Sequence, residues 1–197
     1  MSTKKLLITG FDPFDGEAVN PSYEAVKRLP EQIGDYQLTK LEIPTVYGAA
    51  AARVLAQAEA LSPDVILCIG QAGGRDAITP EVIGINLREG SIPDNAGVQY
   101  AGKPIDEAAP AAYFSTLPVR SMVEAMRKIG IPARLSYTAG AFVCNDTLYT
   151  LLHHYHATET RVGFIHVPFL PEQAKDEKPS LPLDDIVKGL EAAILAI

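Results

Sequence analysis

Ser136-Tyr137-Thr138-Ala139-Gly140-Ala141-Phe142-Val143-Cys144-Asn145 is the stretch on which the reading of this chain turns. With the residues just before it, it predicts a strand over Ala133–Thr138, a tight Ala-Gly turn, and a helix over Asn145–His156. Strand, glycine turn and helix in that order form the repeating unit of α/β folds. The cysteine falls where the helix begins. A helix N-terminus carries unpaired N–H groups and the positive end of the macrodipole, which stabilise a thiolate and can hold an oxyanion. Cysteine more often serves as a small buried apolar residue. The turn and the helix start shift the balance toward a nucleophile.

Working outward, strand-like and helix-like segments alternate along the whole chain. Strands are expected at Leu6–Thr9, Gln37–Ile43, Asp64–Ile69, Val82–Leu87 and Val162–Val167. Helices are expected at Ser22–Leu29, introduced by Asn20-Pro21-Ser22, and at Gly48–Leu61, Pro118–Ile129 and Leu183–Ile197. Pro in the first turn and a polar cap before it are helix-start signals. The pattern predicts a single α/β domain, residues 1–197, with an open, largely parallel twisted sheet and helices on both faces. Gly90 to Thr116 has no clear period and is long for a passive connection, so it is expected to be an ordered functional or subunit-contact loop.

Composition narrows the partners. At 197 residues, 47% hydrophobic and 21% charged, the chain is suited to one well-buried core. A net charge of −7 argues against nucleic acid and anionic membrane surfaces, which call for a basic face. No stretch approaches the roughly 18 apolar residues of a membrane span. Lys4-Lys5 begins like a signal peptide, but the apolar run stops at Gly10-Phe11-Asp12-Pro13, so a first strand is the better reading. The two cysteines, Cys68 and Cys144, lack CxxC spacing. A disulfide between them and a metal site are both disfavoured, and a reducing cytoplasmic compartment is expected.

In open α/β sheets, sites form beyond the carboxyl ends of strands. Four segments fall there: Gly10 to Phe14, Gly70-Gln71-Ala72-Gly73-Gly74-Arg75, the Cys144 turn, and His166-Val167-Pro168. The glycine segment lacks both GxxxxGK[ST] and GxGxxG, so it reads as a turn admitting a small ligand rather than a nucleotide loop. His153, His154 and His156 crowd one polar helix and read as a solvated face. His166 sits in an apolar strand, either as a hydrogen-bonded core residue or as a general base, and a candidate nucleophile one helix upstream favours the base. A Cys–His pair calls for a third group to orient the ring. Asp12, Asp15, Asp76, Glu81, Asp94 and Asp146 are all available, and spacing does not choose among them.

Taken together, these segments resemble the pyroglutamyl peptidase I (pyrrolidone-carboxylate peptidase) family along essentially the whole chain. Gly10-Phe11-Asp12-Pro13-Phe14 with Asn20-Pro21-Ser22 looks like that family's start, and Gly70 to Arg75 with Ile78-Thr79-Pro80-Glu81 resembles its glutamate signature. Ser136 to Asn145 is similar to its cysteine signature. Gly163 to Pro171 and Tyr113 to Pro118 match further segments. The resemblance implies a thiol peptidase that removes N-terminal 5-oxoproline from peptides without metal or cofactor. It implies Cys144 as nucleophile, His166 as base and acid, and Glu81 as orienter. The lactam would lie in a slot of Phe11, Phe14, Phe142 and Val143, with Gln71 reading its polar edge. Family members are typically cytoplasmic homodimers or homotetramers.

The chain departs from the family pattern in two places. Val82 and Gly84 stand where the family carries Lys/Arg and Ala after its glutamate. Ser91 stands where an arginine usually precedes Ile92-Pro93-Asp94-Asn95, near the oxyanion site. Arg88 is not an obvious substitute, since three residues along a strand put it on the opposite face. The second departure motivates an alternative, a weakened or non-catalytic relative that binds 5-oxoproline-like ligands. A nucleoside phosphorylase-like transferase is a more distant alternative, because it leaves the Cys–His–Glu set unexplained.

Overall fold

The computed structural model describes residues 3–197. The chain opens with strand β1 (Lys4–Phe11), followed by helix α1 (Pro21–Arg28), β2 (Gln32–Ile33), β3 (Tyr36–Ile43), α2 (Ala49–Leu61) and β4 (Val65–Gln71). After β4 come the short strands β5 (Thr79–Pro80), β6 (Ile83–Ile85) and β7 (Ala112–Phe114), then α3 (Val119–Lys128) and α4 (Val143–Tyr155). Strand β8 (Arg161–Val167) and helix α5 (Leu183–Leu195) complete the fold.

Six strands form one twisted sheet in the order β2-β3-β1-β4-β8-β5. Strands β3, β1, β4 and β8 are mutually parallel, and the edges β2 and β5 run antiparallel to their neighbours. Continuous apolar runs such as Val65-Ile66-Leu67-Cys68-Ile69 suit strands covered on both faces, and these five residues are wholly buried. On one face α1, α3 and α5 pack through Val26, Met122, Met126, Ile186 and Leu190. On the other, α2 and α4 pack through Val54, Ala58, Leu148 and Leu151. Helices on both faces of a mostly parallel sheet are what the sequence predicts.

Two expected strands take other forms. Ala133–Thr138 contributes only isolated parallel bridges, Ala133 to Ile78 and Ser136 to Glu81, rather than a strand of the sheet. Val82–Leu87 contracts to β6, which leaves the main sheet and pairs with β7 as a separate two-stranded ribbon. The physical reason lies in Asn145 at the start of α4. Its side chain donates to the carbonyls of Ile85 and Leu87 and accepts from the Ile85 N–H, all at 2.9 Å, so it satisfies the backbone groups that a sheet neighbour would have taken. Much of the aperiodic Gly90–Thr116 segment is organised by Asn86, whose side chain bonds the backbone of Ile105, Asp106 and Ala109.

Candidate active site

The carboxyl ends of β1, β4 and β8 converge on a cavity of about 340 Å³. Phe11, Phe14, Gln71, Phe142, Cys144 and His166 all line it, alongside Asn20, Thr45 and Arg75. Val143 does not. The helix turns its side chain into the core beneath α4, where it is fully buried, so the expected fourth apolar wall is absent. Phe14 and Phe142 lie against one another with ring centroids 6.3 Å apart and together form an apolar wall of the cavity.

Cys144 reaches the cavity because the turn and the helix start fall as the sequence suggests. Gly140 has φ of 76°, a left-handed conformation that glycine adopts without strain. Helix α4 starts two residues earlier than expected, which puts Cys144 inside its first turn. The capping residue Phe142 supplies no side-chain acceptor, so first-turn amides remain open to an incoming anion. The N-terminus of α1 differs, because Asn20 caps it by accepting from Ser22 N–H at 3.1 Å.

Gly70 makes the approach of Cys144 to the sheet possible. A Cβ there would lie 3.1 Å from Cys144 Sγ and 2.7 Å from the Phe164 ring. Gly70 and His166 are register partners in adjoining parallel strands, so they face the same side of the sheet. The missing side chain at Gly70 therefore leaves room for the Cys144 sulfur on the face of the sheet from which His166 lines the cavity.

Behind His166 stands Glu81. It is fully buried, and its Oε1 lies 2.7 Å from His166 Nδ1. An ionised carboxylate can only accept, so Nδ1 carries the proton and Nε2 is left as a free base. Arg75 donates to the same Glu81 oxygen at 2.8 Å, and also to Thr79 Oγ1 and the Thr138 carbonyl. Burial acts to raise the Glu81 pKa, but the His166 contact and the Arg75 charge outweigh it and hold the carboxyl below its ordinary range. The other candidate orienters are occupied elsewhere. Asp12 accepts from Thr45 N–H, Asp76 pairs with Arg134, and Asp94 caps a loop through Ala96 and Val98. Asp146 pairs with Arg88 at 2.6 Å, and Asp15 is exposed.

The electrostatics differ from the sequence expectation in one respect. Burial pushes the Cys144 thiol up to about 12, with the Glu81 charge adding to the rise, and the helix start does not reverse it. Burial likewise lowers the His166 pKa, against the pull of Glu81. Both shifts favour the uncharged forms, thiol and imidazole, over the charged ones.

Arg75 is the residue whose contribution the sequence reading missed. An arginine six positions before a buried-strand glutamate was the available signal. Ser91 is exposed and does not line the cavity, and Arg88 is held by Asp146, so neither adds a guanidinium to it. His153 bonds Tyr113 Oη at 2.8 Å on the outer face of α4. Among the described residues no cluster of three or more His, Cys, Asp or Glu side chains could hold a metal ion, and no helix is long and apolar enough to cross a membrane.

Comparison with known proteins places this cavity in context. The family model for pyroglutamyl peptidase matches residues 4–197. A pyrrolidone-carboxylate peptidase from Levilactobacillus brevis is 54% identical over 98% of this chain and 97% of its own length, and one from Staphylococcus carnosus is 52% identical over 98% and 92%. The crystal structure of pyroglutamyl peptidase I from Bacillus amyloliquefaciens superposes with a TM-score of 0.96 at 47% identity, covering 100% of this chain and 95% of that one. Pyrrolidone carboxyl peptidase from Thermococcus litoralis gives 0.93 at 35% identity, over 98% and 92%. With agreement of this extent in both sequence and fold, the chain belongs to the pyroglutamyl peptidase family of cysteine peptidases.

Proposed function

We propose that the cavity removes N-terminal 5-oxoproline from peptides by acyl transfer through Cys144, with His166 as general base and acid and Glu81 as its orienter. The observation that carries this reading is the Glu81–His166 contact at 2.7 Å, which leaves Nε2 unprotonated in the cavity that Cys144 lines. The Cys144 sulfur attacks the carbonyl carbon that joins 5-oxoproline to the next residue. As the C–S bond forms, the thiol proton passes to His166 Nε2 and the carbonyl π pair moves onto oxygen. The open first-turn amides of α4, Cys144 N–H foremost, receive that oxyanion, and one such donor is worth ~10²–10³ in rate. Collapse breaks the C–N bond, and His166 returns its proton to the departing amine. Water, activated by the same nitrogen, then releases 5-oxoproline from the thioester.

Phe11, Phe14 and Phe142 suit an uncharged lactam, since a free α-amino group in that slot would lose its hydration without a partner, at a cost of several kcal/mol. The substrates are peptides bearing N-terminal pyroglutamate. The proposal also has the enzyme working in the cytoplasm as a homodimer or homotetramer, as the family resemblance implies, and the two free cysteines fit a reducing compartment.

The test is release of a fluorescent amine from a pyroglutamyl amide, with and without prior iodoacetamide. Turnover that the alkylator abolishes is expected. Absent turnover in folded, reduced protein, or turnover that survives alkylation of Cys144, would contradict the proposal.

A further inference from the structure

Gln173 lies on the turn after β8 and is 5% exposed, an unusual degree of burial for a glutamine on a loop. Its side chain joins three segments. Oε1 accepts from the Leu170 N–H at 3.1 Å, and Nε2 donates both to the Val19 carbonyl at 3.1 Å and to Gln71 Oε1 at 3.2 Å.

Two of those partners are main-chain groups, and that settles the direction of the whole chain of bonds. A backbone N–H can only donate and a backbone carbonyl can only accept. Turning the Gln173 amide round would set NH₂ against N–H and oxygen against oxygen, so the amide has one allowed orientation. With Nε2 fixed as a donor, the Gln71 atom it meets must be oxygen. The other end of Gln71 is then NH₂, with no acceptor among the described residues, and Gln71 lines the cavity.

We propose that Gln173 is a positioning residue for substrate selection: it holds the Gln71 amide with its NH₂ toward the cavity, where it donates to the ring carbonyl of the substrate lactam. This rests on the peptidase reading above. A 5-oxoprolyl ring presents a carbonyl oxygen at its edge, whereas an N-terminal prolyl ring presents a methylene in its place. A donor held by a buried neighbour cannot turn away from the mismatched ring, so the mismatched substrate leaves it unpaired. Rejecting an analogue that lacks the matching group is the strongest form of selection a small pocket has.

The test measures kcat and KM on a pyroglutamyl amide of a fluorescent amine for wild type, Gln173→Glu, Gln71→Ala and the double variant. In Gln173→Glu the donor becomes an acceptor, so Gln71 reverses and presents its oxygen to the lactam oxygen. We expect KM to rise about 10- to 100-fold with kcat nearly unchanged, because the contact is present in ground and transition states alike. In the Gln71→Ala background the same change shifts kcat/KM by less than about twofold, since there is no longer an amide to direct. Gln173→Met, which buries no charge, raises KM by a smaller factor of the same kind. The rate of Cys144 alkylation by iodoacetamide stays at the wild-type value in all of them.

A Gln173→Glu effect carried by kcat, or one that persists undiminished without Gln71, would overturn the proposal and leave the peptidase reading intact. Wild-type protein without turnover of the pyroglutamyl amide would overturn both.

Discussion

Cys68 and Cys144 belong to the same apolar cluster between the sheet and helices α2 and α4, and burial drives both thiols up to about 12. Burial acts on both thiols in the same direction. They differ in surroundings: Cys68 is sealed in β4 with no exposure, while Cys144 is partly exposed at the start of α4 and opens on the cavity that His166 lines. The comparison teaches that what separates the two thiols is access to the cavity rather than the effect of burial on their acidity.

The sharpest way to break that comparison is to remove each sulfur in turn. Cys144→Ala should reduce turnover on the order of 10⁶-fold, as loss of a triad nucleophile does, while 5-oxoproline binding remains. Cys68→Ala should leave turnover close to wild type and cost about 1 kcal/mol of stability in thermal or urea unfolding, the loss of one buried heavy atom.

Glu81→Gln tests whether the base depends on its partner. The amide can present NH₂ to Nδ1, which moves the ring proton to Nε2 and occupies the base, so kcat should fall by about 10⁴-fold with KM little changed. An unaffected kcat would mean that Glu81 merely fills the interior. Gly70→Ala is a smaller perturbation of the same geometry. Its methyl group would meet both Cys144 Sγ and the Phe164 ring, and displacing the sulfur should lower kcat about 10- to 100-fold without unfolding the chain.

The smallest effect concerns pH. His166 has a folded pKa below its ordinary 6.5 and Glu81 one below 4.5, so the unfolded chain binds more protons as the solution is acidified. Their stabilisation is full above pH 6.5 and 4.5 respectively, and it is lost as pH falls through each lowered folded value. At the other extreme both thiols are raised from 9.0 to about 12, so above pH 9 the unfolded chain loses protons first and stability falls again. Unfolding midpoints measured across pH 4 to 11 should therefore form a dome, and its acid side should flatten in His166→Asn. The acid limb of kcat/KM should also lie below 6.5, since only neutral His166 can accept the thiol proton.

Much of this arrangement was legible in the sequence, because local chemistry marks it. The alternation of apolar strands with helices gave the layered α/β fold, and Ala139-Gly140 before Cys144 gave the turn. What stayed hidden depends on contacts between distant segments. The strand expected at Ala133–Thr138 forms only bridges, since its neighbours are the short β5 and the Glu81 junction rather than a long strand. β6 leaves the sheet because Asn145, sixty residues downstream of Ile85, takes up its backbone groups. The choice of Glu81 among six carboxylates could not come from spacing. It becomes evident only when each of the others is seen with its own partner, or exposed. Gln173 was overlooked for the same reason, as its partners Val19 and Gln71 lie far upstream in the chain, whereas Arg75 stands only six positions before the Glu81 it contacts.

The most direct test of the central claim is to quench the enzyme in acid during turnover of a pyroglutamyl ester and map the modified peptide by mass spectrometry. The account predicts a hydroxylamine-sensitive 5-oxoprolyl thioester on Cys144, with Cys68 unmodified. An acyl group on Cys68, or steady turnover with neither cysteine ever acylated, would contradict it.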